Sequence, residues 1–310
     1  MMKVLMAFFI IVVAVLLLVA VIGYFLAAYM VHPECKSLEW IREYEENAGF
    51  WRGYHELPKR SYQLTMADGY TLEAEYVPGP VESNRYVIIT HGYTANRYSS
   101  LKYLHMYRDM GFHCVIYDNR GHGANKRTIC GMGLTEYRDL LEVIEDTKRR
   151  FGDGILLGLH GESMGSAMTV YALGEKPGVE FAVADCGCAD LMNVVQGKLK
   201  RQFHLPGLLA YPASLMCRLV FGYRVSEVRP IRALADNSIP ICFMHGEEDD
   251  FISMENSKRM HRENKGYSEL HLFPGARHAE AIVVDETGYR RIVRAFLQTC
   301  GVISDSDKDI

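Results

Sequence analysis

The chain has 310 residues, with 34 Lys and Arg against 38 Asp and Glu for a formal net charge of −4. Hydrophobic residues make up 49% and charged residues 23%, a globular balance that excludes collagen-like, low-complexity and disulfide-miniprotein classes. No global basic field and no basic stripe interleaved with aromatics exists, so nucleic acid is not an expected partner.

From Val4 to Val31 no charged residue occurs, and only Gly23 interrupts the apolar run. At 1.5 Å per residue such a run makes a helix of about 42 Å, enough to cross a hydrocarbon layer of about 30 Å. A cleavable signal has a shorter apolar stretch, about 7–15 residues, so residues 1–31 are read as an uncleaved single-pass anchor. Lys3 and the amino terminus on one side face Lys36 and Arg42 on the other, which leaves orientation nearly balanced. With so short a tail, a cytoplasmic N-terminus is the working expectation.

Residues 32–57 are charged and aromatic, and read as an amphipathic stalk. Ser61–Met66 and Tyr70–Tyr76 then alternate at period two around Asp68-Gly69, a hairpin signature. Six short continuous apolar runs follow: Tyr86–Thr90, Cys114–Tyr117, Ile155–Leu159, Phe181–Ala184, Ile241–Met244 and Leu270–Phe273. They have the length and composition of strands buried on both faces. Helical periodicity separates them, clearest in Tyr137, Leu140, Leu141, Ile144 and Phe151 after a Thr135 cap, and in Tyr289, Ile292, Val293, Phe296 and Leu297. Strand and helix alternating in this way predict a mostly parallel, doubly wound sheet. The residues from 303 to 310 read as a flexible tail.

Eight cysteines would suit four disulfides outside the cell, but several stand inside apolar strands and read as buried thiols. Cys186-Gly-Cys188 has no second Cys/His pair at ligand spacing, and neither a metal nor another cofactor is expected.

In a parallel sheet, chemistry belongs at the carboxyl ends of the strands. After Ile155–Leu159 comes His160-Gly-Glu-Ser163-Met-Gly165, a G-x-S-x-G pattern between a buried strand and a helix beginning at Met164. Two glycines there permit a sharp turn that holds a serine hydroxyl proud of the sheet. A serine nucleophile needs a base, in the chain order Ser, acid, His. His261 lies in a helical stretch and His271 inside a strand, whereas His278 occupies a turn just past the last strand and is the candidate base. The orienting acid should follow the preceding strand, where Glu247, Glu248, Asp249 and Asp250 all qualify by position. The oxyanion needs two backbone N–H groups, one from Met164 and one from the His91-Gly-Tyr93 loop, with Tyr93 as donor.

With these residues in hand the chain resembles the α/β-hydrolase family over residues 60 to 300. Asp118-Asn-Arg-Gly-His-Gly123 is similar to the family's D-x-R-G-H-G loop, and His245-Gly-Glu-Glu-Asp249 to its H-G-x-x-D loop. The resemblance implies an α/β-hydrolase domain over 58–302 with a small helical cap at about 187–237, and it selects Asp249 as the acid. Within the family, the chain is similar to bacterial membrane-anchored hydrolases of the serine-aminopeptidase-like and lysophospholipase-like kind. Glu162 in place of a common histidine, and a single Gly92 in place of a three-glycine loop, argue against a triacylglycerol lipase. Arg120 and His122 read as structural, with Arg120 satisfying loop carbonyls. The cap stretch is apolar at Leu205, Leu208, Leu209, Tyr211, Leu215, Leu219 and Phe221, which fits either an acyl slot or packing on the body. The functional expectation is a serine hydrolase acting on a small acyl ester or lysophospholipid-like substrate. An amidase or aminopeptidase with the same triad is the alternative, and a non-catalytic membrane interaction protein is a third reading.

Overall fold

A computed structural model describes residues 1–304. The strands in chain order are β1 (Arg60–Thr65), β2 (Thr71–Val77), β3 (Arg85–Thr90), β4 (His113–Tyr117), β5 (Leu156–Glu162), β6 (Phe181–Asp185), β7 (Ile241–Gly246) and β8 (Ser268–Phe273). The helices are α1 (Met2–Val31), α2 (Leu38–Asn47), α3 (Leu101–Asp109), α4 (Glu136–Phe151), α5 (Met164–Gly174), α6 (Leu191–Arg201), α7 (Ala210–Met216), α8 (Glu255–Glu263), α9 (Ala281–Val284) and α10 (Glu286–Thr299).

One sheet of order β1-β2-β4-β3-β5-β6-β7-β8 contains all eight strands. The pairs β1/β2 and β2/β4 are antiparallel and every other pair is parallel. The β1–β2 hairpin turns at Asp68-Gly69, with Thr65 opposite Thr71 and Gly69 at φ +83°. Parallel strands carry apolar side chains toward both faces, and each face has its own buried core. One core gathers Val87, Ile89 and Phe181 with Tyr107, Tyr289 and Phe296. The other gathers Ile88, Leu159 and Phe243 with Leu140, Met168 and Met260.

The chain forms two compact units. One is Met1–Pro33 with Asp190–Arg229; the other is Glu34–Ala189 with the chain from Pro230 onward. The insert between β6 and β7 is therefore shorter than the expected 187–237. Ala189 and Leu234 are fully buried in the core of the sheet body, so the flanks of that stretch belong there. Asp190 and Arg229 close the two ends of the insert in a 3.0 Å ion pair.

The expected stalk is also different in kind. Trp51 and Tyr54 are part of the body core, and Ile41 and Glu45 are buried on α2. Glu39, Arg42, Glu43 and Glu46 face water together with Trp40 and Tyr44, and the charge of that outer side disguised the buried one. Nor does α1 stand free along its whole length, because Gly23, Ala27 and Val31 are buried within its own unit. Of the tail expected at 303–310, residues 305–310 lie outside the described residues, whereas Ile303 is buried in the core. All eight cysteines are free thiols; Cys35 and Cys300 are half-buried and the other six buried.

Candidate active site

Strand β5 ends at Glu162 and helix α5 begins at Met164, so the whole reversal falls on Ser163, at φ +55° and ψ −111°. A non-glycine residue is strained there, and the surroundings must impose the conformation. They do so by close approach: a Cβ at Gly161 would lie 2.2 Å from the Gly165 carbonyl oxygen, and one at Gly165 would lie 2.1 Å from the Thr90 carbonyl oxygen. Only glycines let strand, helix and the end of β3 pack this closely.

His278 lies in the turn beyond β8, with Nε2 2.9 Å from Ser163 Oγ and Nδ1 2.7 Å from Asp249 Oδ2. Among the four acidic residues after β7, Asp249 alone is buried and the other three are exposed. Its Oδ1 accepts from the backbone N–H of Phe251 (2.9 Å) and Ile252 (2.8 Å). Burial pushes this carboxyl up, but hydrogen bonds from His245 and His278 more than reverse the effect and hold it well below the usual carboxylate range. Asp250 is instead paired with Arg277 at the surface, at 3.4 Å. His261 and His271, the histidines set aside, bond Ser268 and Glu269 respectively, each at 2.8 Å.

Met164 is the first residue of α5, so its N–H is one of the helix's orphan donors. The loop after β3 comes close on the other side, where a Cβ at Gly92 would sit 3.3 Å from Ser163 Cβ. Tyr93 follows, half-buried, and Thr94 adopts φ +66°. The segment before α2 ties this loop down: Lys36 N–H donates to the Thr94 carbonyl (2.8 Å), and the Asn96 amide donates to the Ser37 carbonyl (3.1 Å).

Three features went unread in the sequence. His245 bridges the acid loop, with Nε2 2.7 Å from the Ile252 carbonyl and 3.2 Å from Asp249 Oδ2, and Nδ1 2.7 Å from Ser257 Oγ. The H-G-x-x-D pattern contained it without a role. Beneath the elbow, Lys102 Nζ lies 2.5 Å from Glu162 Oε2 and donates to the carbonyl of Ala279, the residue after His278. Tyr103 Oη stands 2.7 Å from Glu162 and 3.1 Å from Asp185, and Tyr289 Oη donates to Asp185 (2.9 Å). Burial and the nearby Glu162 push Asp185 up to about 6. This buried network joins the strand end that carries the serine to the turn that carries the histidine. The third is Glu45, pushed up to about 7 chiefly by burial.

Arg120 satisfies carboxylates and not the expected loop carbonyls. It forks onto Asp139 (2.9 and 2.6 Å) and reaches Asp68 (2.7 Å). Among the described residues, Cys242, Glu269 and His271 are grouped closely enough to suggest metal ligands. Their donors are already committed, because Glu269 and His271 bond each other and burial raises the Cys242 thiol far above its usual range.

Residues 97–300 match the sequence profile of the prolyl oligopeptidase family. The chain belongs to that family. It is thus a serine hydrolase of the α/β type. This prolyl oligopeptidase-family chain is 29% identical to YqkD of Bacillus subtilis over 259 residues, which cover 83% of the chain and 85% of YqkD. It is 24% identical to YfhR of Escherichia coli over 229 residues, 71% of the chain and 74% of YfhR. Its fold is similar to that of a Pyrococcus furiosus esterase (TM-score 0.68, 20% identity, 87% of this chain and 98% of that one). A Pyrococcus horikoshii acylaminoacyl peptidase is also similar (TM-score 0.62, 16% identity, 78% of this chain and 41% of that one).

Proposed function

We propose that the chain is a membrane-anchored hydrolase that cleaves carboxylic esters of small acyl substrates through Ser163, His278 and Asp249. The observation that carries this reading is the unbroken relay from Ser163 Oγ to His278 Nε2 (2.9 Å) and from His278 Nδ1 to Asp249 (2.7 Å). Asp249, held ionised, fixes the tautomer whose Nε2 takes the serine proton as Oγ attacks the ester carbonyl. The N–H groups of Met164 and Tyr93 receive the oxyanion, and the helix dipole of α5 adds to their pull. His278 then protonates the departing alcohol, and water attacks the acyl-enzyme by the same route in reverse.

The anchor is α1, whose apolar length suffices to cross a bilayer, with its N-terminus on the cytoplasmic side. An ester is favoured over an amide because the match to the esterase runs over 98% of that protein, against 41% of the peptidase. The family itself favours the amide alternative, and acyl esters of graded length assayed beside aminoacyl amides decide between them.

The test of the nucleophile is Ser163→Ala in the full chain. Esterase activity and fluorophosphonate labelling should both vanish while thermal unfolding stays unchanged, since glycines set the turn and not the hydroxyl. Undiminished labelling of the variant would overturn the assignment.

A further inference from the structure

The unit made of α1 and the insert has an unusual distribution of apolar surface. Along Gly207–Phe221 the only charged residue is Arg218. One stripe of this segment, Ala210, Ala213 and Cys217, is fully buried. A second stripe at helical spacing, Leu208, Tyr211, Leu215 and Leu219, is equally apolar yet 50–69% exposed. A short helix that is apolar on its outer side as well as its inner one lacks the polar face that water requires.

What lies beside that stripe indicates what covers it. The last third of α1 packs on α7 through small residues: a Cβ at Gly23 would sit 2.9 Å from the Pro212 carbonyl carbon, and Ala27 follows one turn later. Such spacing is how helices approach closely in lipid. Tyr24 stacks on Phe221 and Tyr29 meets Phe203 edge-on, extending the contact. The first seventeen residues of α1, Met2 to Leu18, are exposed throughout. From Met2 to Gly23 the helix rises about 32 Å, close to one hydrocarbon thickness of about 30 Å. The point where α1 meets α7 therefore coincides with the depth at which a spanning α1 leaves the acyl chains.

Charge points the same way. Asp190–Arg229 holds six basic residues (Lys198, Lys200, Arg201, Arg218, Arg224 and Arg229) against Asp190 and Glu227, a balance of +4 inside a chain whose total is −4. The basic surplus sits on the same unit as the exposed apolar stripe. Basic residues flanking an apolar face form the pattern that binds anionic headgroups with the apolar side in the acyl boundary.

We propose that Gly207–Phe221 is an interfacial membrane element: the stripe of Leu208, Tyr211, Leu215 and Leu219 lies in the acyl–headgroup boundary of an anionic bilayer, alongside the spanning part of α1. The insert is then a second, monotopic attachment, and the natural ligand of this face is a lipid surface. The inference rests on the reading of α1 as a membrane span, and its test separates the two.

The full chain is reconstituted in phosphatidylcholine–phosphatidylglycerol vesicles with brominated acyl chains, and four single-tryptophan additions are compared with wild type: Leu215→Trp and Leu219→Trp on the stripe, Val12→Trp on α1, and Tyr267→Trp on the sheet body. At an insertion depth of about 5–10 Å the added indole should lose about half its emission to bromine at positions 215 and 219. Position 12 should be quenched as well, and position 267 should not. Quenching at 12 without quenching at 215 and 219 overturns the interfacial inference and leaves the anchor standing. Quenching at 215 and 219 without 12 overturns the anchor and supports the interfacial element. Blue-shifted, unquenched emission at 219 with a dimeric mass in detergent would mean that a second copy covers the face, and this too overturns the proposal.

Discussion

Asp249 and Asp250 are neighbours in sequence with opposite surroundings, and that contrast can be measured. Asp249 is buried under two backbone donors and two imidazoles; Asp250 faces water beside Arg277. Asp249→Asn should lower kcat on a soluble ester by about a thousandfold or more, since the neutral side chain no longer favours the working tautomer. Asp250→Asn, Glu247→Gln and Glu248→Gln should each change it by no more than about tenfold, through long-range field alone. A collapse at Asp250 with Asp249→Asn nearly unaffected would move the acid by one residue. Glu45 makes a different prediction, about stability. Burial raises its folded pKa from 4.5 to about 7, so the folded chain holds this proton more tightly than the unfolded chain does. The associated stability is fully present below about pH 4.5 and is lost as pH rises through 7, a change of up to about 3 kcal/mol. Glu45→Gln should therefore raise Tm at pH 8 and leave it nearly unchanged at pH 4.5, as followed by thermal unfolding in detergent. Equal shifts at both pH values would show that Glu45 is not held protonated.

At the scale of elements, the sheet was legible because parallel strands need apolar side chains on both faces, and runs such as Tyr86–Thr90 have no other economical reading. Ser163 and His278 stood out as candidates for a related reason, since each follows one of those strands, whereas the four carboxylates after β7 were equivalent by position and only the family resemblance singled out Asp249. The insert was not legible. Its 3₁₀ turns at Gly207–Leu209 and Val225–Glu227 and the π turn at Cys217–Phe221 share no period, so no template marked where it begins and ends. Lys102 escaped because a lysine in Leu-Lys-Tyr-Leu-His-Met looks like a solvated position until Glu162 is seen beside it. The α1–α7 contact escaped because a Gly and an Ala in an apolar helix carry no sign of what they approach. That contact is testable through Gly23→Leu. The new side chain would meet the Pro212 backbone, and overpacking of this kind costs about 1–3 kcal/mol. Trypsin should cut the Lys198–Arg201 segment several-fold faster in the variant, with fluorophosphonate labelling of Ser163 as the control for the body.

For the whole molecule, removal of residues 1–33 separates two kinds of dependence. The sheet body has two cores of its own, and neither draws on α1. The truncated chain should keep its thermal transition and its reactivity with fluorophosphonate. The insert should not fare as well, because Ala210, Ala213 and Cys217 lose the helix packed beside them and join an apolar face that is already open. Self-association on size-exclusion chromatography and faster proteolysis within 190–229 are the expected outcomes. A monodisperse truncated chain with a protease-resistant insert would show that α1 only tethers.

The free thiols give the two units separate clocks. Seven of the eight cysteines belong to the sheet body, and Cys217 alone belongs to the insert. Burial raises the Cys217 thiol to about 11 and that of Cys130 far above its usual range, so neither forms a thiolate at neutral pH until its surroundings open. A pulse of maleimide read by peptide mass should modify Cys35 and Cys300 first, and then report the opening of each unit by the delay before its own cysteines react. If α1 lifts from α7 independently of the sheet, Cys217 will be modified long before Cys114 or Cys242, and the ratio of those times measures how loosely the unit of α1 and the insert is coupled to the sheet body.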